Sequence, residues 1–199
     1  MDERSAGVVG VVGALLWAAA RWYGGTVGDA FALLVVAVAA GLIAWSLTPD
    51  LGRSRGGRAR RARRRVTVAA VVGLVLIAAG TLLSALETIP VTASVGPRLR
   101  AAGYEVALPV CLAAYAWIRR HDARFPAWSL VLVAAAALAG LAAMPVSITL
   151  LVGDGRIDLG DAPGAVLHAD RLASGLYTLA FPAAWAGIGL ARWRAAVPR

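Results

Sequence analysis

Residues 127–152 read AWSLVLVAAAALAGLAAMPVSITLLV, a run without one charged side chain. A helix rises about 1.5 Å per residue and needs about 20 apolar residues to cross a hydrocarbon core about 30 Å thick. This run is long enough. Backbone amides in lipid have only each other as partners, so a crossing segment is either a helix or a strand of a closed barrel. Runs of Ala, Leu and Val without strict alternation fit a helix.

The same kind of stretch recurs at about 6–25, 29–48, 66–86, 100–118 and 169–191. In a chain of 199 residues, 60% of them hydrophobic and with a mean hydropathy of +0.73, the solvent of the fold is lipid rather than water. Six spans leave only short connections. The expected architecture is all-α, a single integral membrane domain over 1–199 in which six transmembrane helices form a bundle.

Orientation follows from the arginines, because short basic segments stay on the cytoplasmic side. All 20 basic residues are arginine. With 49–65 inside, Arg4, the eight arginines from Arg53 to Arg65, Arg119, Arg120, Arg124, Arg192, Arg194 and Arg199 share one side. The opposite side holds Arg21, Arg98, Arg100, Arg156 and Arg171 together with most of the acids: Asp29, Glu87, Glu105, Asp154, Asp158, Asp161 and Asp170. Both termini are therefore expected in the cytoplasm. The Ala18-Ala19-Ala20 stretch resembles a signal-peptidase site, but Asp2 and Glu3 offset Arg4, and a signal peptide needs a positive start. The all-arginine basic set and the Ala, Gly and Val excess read as the codon bias of a GC-rich prokaryote, with the plasma membrane as location.

Gly52 to Arg65, GRSRGGRARRARRR, is rich in charge and glycine, and the stretch 49–65 is expected as a mobile cytoplasmic loop. Its arginines, Arg53, Arg55, Arg58, Arg60, Arg61, Arg63, Arg64 and Arg65, are expected to contact anionic lipid headgroups at about 1 kcal/mol each near the surface. The run has no interleaved aromatics and no nucleic-acid module, so nucleic acid is not an expected partner. A protein partner or a second copy of the chain is left open.

Polar residues within spans tend to face the bundle interior and so carry the functional information. Thr81, Ser84 and Thr88 share a face with Glu87 beside them, and Tyr104, Leu108, Cys111 and Tyr115 form a stripe next to Glu105. Pro145 is expected to kink its helix. His168, Asp170, Arg171, Ser174, Tyr177 and Thr178 open the last span. Most of these fall in the outer half, which predicts an outward-facing polar pocket built from Ser84, Glu87, Tyr104, Glu105, His168, Asp170, Arg171 and Ser174 above an apolar seal.

The two histidines, His121 and His168, fall on opposite sides and cannot share a haem. No HExxH occurs, and Asp154, Asp158 and Asp161 lack the spacing of a calcium loop. Cys111 is the only cysteine. No metal or cofactor is expected. Gly7-xx-Gly10-xx-Gly13, Ala136-xxx-Gly140 and Ala183-xxx-Gly187 read as close helix contacts. The expected function is non-catalytic: binding of a small ligand, ion or lipid headgroup from outside, or service as an accessory subunit. A small-solute transporter or channel is one alternative. An enzyme acting on a lipid or quinone at the outer leaflet is the other, and it requires Glu105, His168 and Asp170 to converge.

Overall fold

The computed structural model describes residues 2–27, 29–52, 58–85, 92–120, 126–152 and 164–195. Among these the regular structure is entirely helical. The helices are α1 (Glu3–Val27), α2 (Asp29–Ser46), α3 (Thr48–Gly52), α4 (Arg58–Ala85), α5 (Thr92–Ala101), α6 (Leu108–Arg119), α7 (Ala127–Val152) and α8 (Gly164–Ala195). A π-helical turn, Ala102–Ala107, joins α5 to α6 without interrupting the rod. Asp2 accepts the Ser5 N–H at 2.7 Å and caps α1, which holds its carboxyl below the ordinary aspartate range.

Among the described residues, four segments are long and apolar enough to cross a membrane: Glu3–Trp22, Arg61–Ser84, Arg98–Arg119 and Ala127–Pro145. Phe31–Ser46 is equally apolar but shorter. In α8, Ser174, Tyr177, Thr178 and several glycines dilute an otherwise charge-free stretch from Leu172 to Ala191.

Each rod packs on its neighbours in sequence, and α1 packs on α8, so the bundle closes as a ring in the order α1, α2, α4, α5–α6, α7, α8. Alanines and a set of large side chains, among them Ile43, Leu74, Ile77 and Phe181, fill the interior, and further large apolar side chains cover the outside. Ala14, Ala39, Ala40, Ala136, Ala137 and Ala184 are buried, while Leu15, Val38, Val72, Leu138 and Leu179 point outward, Leu138 being 70% exposed. In water this pattern would leave a large unsatisfied apolar surface. In lipid the outer face needs no cover, and small residues inside let the helices approach closely.

The expected glycine contacts occur. A Cβ on Gly7 would lie 2.6 Å from the Gly189 carbonyl oxygen, and one on Gly140 would lie 2.6 Å from Cγ of Pro109. Trp22, Trp117, Trp128 and Trp193 stand exposed near helix ends, with Arg120 over the Trp117 ring and Arg194 near that of Trp128.

One expectation needs correction. The stretch 49–65, anticipated as loop, is helical at both ends: α3 covers Thr48–Gly52 and α4 starts at Arg58. Arg58-Ala59-Arg60-Arg61-Ala62-Arg63-Arg64-Arg65 contains only Ala and Arg, both strong helix formers, and the glycines stop at Gly57. Arg53 and Arg55 lie outside the described residues. Arg61, Arg64 and Arg65 are exposed and Arg63 is partly buried.

Candidate functional site

At the end of the bundle remote from Arg61 and Arg192, the polar residues singled out by the sequence divide into two groups. Ser84 is buried and donates to the Gly80 carbonyl at 2.9 Å, just as Thr81 donates to Ile77 at 2.5 Å. Both hydroxyls are thus satisfied within α4. The Ser174 carbonyl accepts the Thr178 hydroxyl at 2.8 Å. His168 and Arg171 are exposed, and Asp170 is partly buried. Glu87, Thr88, His121, Asp154, Asp158 and Asp161 lie outside the described residues. Among the described residues, no set of three His, Cys, Asp or Glu side chains gathers as a metal site would require. No hydrogen bond or ion pair between described residues joins Glu105, His168 and Asp170.

Tyr104 and Glu105 have a more particular setting, because both sit in the π turn. Within it the Leu108 N–H donates to the Gly103 carbonyl five residues back. The next donor in that register would be residue 109, which is proline and has none. The Tyr104 carbonyl is thereby released, and the Tyr177 hydroxyl of α8 donates to it at 2.8 Å. Pro109 therefore accounts for a bond between distant helices. π turns frequently mark functional positions in helices, and here the turn carries Glu105, partly buried, next to Tyr104 in the chain.

That centre is aromatic. Phe181 packs against Trp17, Tyr104 and Tyr177 at centroid distances of 4.7, 5.1 and 5.6 Å, with Trp185 at 6.2 Å. Tyr104 stacks on Trp17 at 5.6 Å. Stacked and edge-on rings at such spacings attract through their quadrupoles. The indole N–H groups of Trp17 and Trp185, each residue 3% exposed, have no acceptor. Neither tryptophan was singled out by the sequence, where both read as further apolar positions within a span.

A second polar cluster, also not anticipated as a site, occupies the opposite end of the ring. It grows from Pro49. After α2 the chain tightens: Leu47 donates to the Ala44 carbonyl and Asp50 to that of Leu47, each at 3.1 Å and three residues back. Because Asp50 bonds to Leu47, the Ser46 carbonyl is left without its helical donor, and Arg192 Nη1 of α8 fills that place at 2.7 Å. Pro49, lacking an N–H, likewise leaves the Trp45 carbonyl open, and the Thr48 hydroxyl takes it at 2.8 Å.

The same break aims Asp50 inward. Its carboxylate pairs with Arg192 Nη2 and lies 4.0 Å from Arg119 Nη2 at the end of α6; the Asp50 side chain is 8% exposed. Arg119 also lies over the Tyr115 ring, 5.4 Å from its centroid. The arrangement is a buried carboxylate between two guanidiniums, drawn from three helices. A signal for it existed in Thr48-Pro49-Asp50, a helix break followed by a lone acid ahead of the arginine run. No protein-family model, curated protein or solved structure matches the chain.

Proposed function

We propose that the chain is a non-catalytic, six-span protein of a prokaryotic plasma membrane, with both termini in the cytoplasm, which takes a small ligand or lipid headgroup from the outside. In this reading α2 and α8 cross as well. The arginine ends of α4, α6 and α8 face the cytoplasm, where the exposed Arg61, Arg64 and Arg65 of α4 contact anionic headgroups. The bound group reaches the π turn from the side of Asp170 and His168.

The observation that carries the proposal is the indole N–H of Trp17, buried and without an acceptor while its ring stacks on Tyr104. A buried donor left unsatisfied costs about 1–3 kcal/mol, and a ligand oxygen at that place recovers the cost. Glu105, one residue beyond Tyr104, supplies the charge that distinguishes one ligand from another.

Thermal unfolding of the purified protein in lipid nanodiscs tests this against a panel of headgroups, small anions and small organic cations. Members that raise the unfolding temperature of the native chain are expected to lose most of that effect in Trp17→Phe, which keeps a ring but removes the donor. They are also expected to lose selectivity in Glu105→Gln. A stabilising ligand unaffected by both substitutions contradicts the assignment.

A further inference from the structure

We infer that Asp50, Arg192 and Arg119 form a latch closing the arginine end of the ring, and that α3 is its moving part. Three observations meet here. The backbone of α3 packs on α1, α2 and α4, whereas Asp50 reaches across to α6 and α8, so one carboxylate ties two arcs of the ring together. The tie is buried, with Arg192 4% exposed. And a break is built in, because the turn at Leu47 and Pro49 separates the five-residue α3 from the rod of α2.

Polar closure differs physically from apolar closure. The attraction within a buried ion pair is largely offset by the desolvation of its charges, so the closed state holds by a narrow margin and by geometry. The rods themselves are held by the Ala, Gly and aromatic packing described above, which opening of the latch leaves intact. Release of Asp50 frees the end of α3 and admits water toward Tyr115 and the interior of α6. The latch stands whether or not the aromatic centre takes a ligand.

The native chain contains its own reporter. Cys111, the only cysteine, is buried in the ring interior on the same helix as Arg119, about 12 Å further from the arginine end at helical rise. The experiment is the rate at which a small cationic methanethiosulfonate reagent modifies Cys111 in the full-length protein in nanodiscs, with helix content followed by circular dichroism. Asp50→Asn is expected to raise the rate at least tenfold with helix content unchanged. Arg192→Lys keeps the charge but loses the fork that reaches both the Ser46 carbonyl and Asp50, and is expected to raise it about threefold. Thr81→Val, at the opposite end of α4, removes a buried hydroxyl bonded within its own helix and leaves it unchanged. Native rates in folded Asp50→Asn and Arg192→Lys overturn the latch. So does an equal rise in Thr81→Val, which would report general loosening, and so does failure of both latch variants to fold, which would make the cluster a requirement of the fold.

Discussion

Pro109 acts through an absence. By lacking an N–H it leaves the Tyr104 carbonyl to the Tyr177 hydroxyl, and Pro49 does the same for the Trp45 carbonyl and the Thr48 hydroxyl. In each case a proline converts a bond internal to one helix into one made by a side chain, and at Tyr104 that bond ties α8 to the π turn. Tyr177→Phe should therefore lower stability by about 0.6–1.7 kcal/mol, the range for hydrogen bonds between membrane helices. In Pro109→Ala the restored amide competes for the same carbonyl, so the added cost of Tyr177→Phe should fall toward zero. Equilibrium unfolding of the four chains of this double-mutant cycle measures the coupling, and full additivity would rule out the shared carbonyl.

Between elements, closeness of approach decides stability. Gly140 meets the Pro109 ring and the Tyr177 ring, at 2.6 and 2.9 Å from where a Cβ would stand, and Gly7 meets the Gly189 backbone. The proline ring and the backbone have little freedom to retreat. Gly140→Ala and Gly7→Ala should each cost about 1–3 kcal/mol through overpacking, measured by unfolding in mixed micelles. Gly41 has open space around its Cα, and Gly41→Ala should be neutral or slightly stabilising, since alanine is the better helix former by about 1 kcal/mol. Equal effects at all three positions would refute packing as the reason for the stripe. The small-residue spacing was legible in the sequence because helical periodicity alone generates it. The start of α4 at Arg58 was not, since charge density read as loop while Ala and Arg favour helix.

At the scale of the whole molecule, the positions of the rods were legible because charge marks where lipid ends. The run 127–152 coincides with α7, and 29–48 with α2 to within two residues. Ring closure was not legible, because the α1–α8 contact depends on Gly7 and Gly189, which lie at opposite ends of the chain. Nor was the Asp50 cluster, whose members are about 70 residues apart in sequence and whose acid sits beside an arginine run that draws attention to charge of the other sign. Of the candidate site, Tyr104 and Glu105 are visible in the polar stripe of their helix, whereas Trp17 and Pro109 carry no polar signal, and their contacts emerge only when the rods are assembled.

The central claim is that all six rods cross the membrane and that both ends of the chain lie inside. Its most direct test uses single cysteines on a Cys111→Ala background, probed in intact cells with a membrane-impermeant maleimide. Gly28→Cys, Thr88→Cys and Gly155→Cys should label from outside, and Gly56→Cys, Ala123→Cys and Val197→Cys only after the cells are opened. Labelling of Val197→Cys in intact cells, or the same accessibility for Gly28→Cys and Gly56→Cys, would contradict the account.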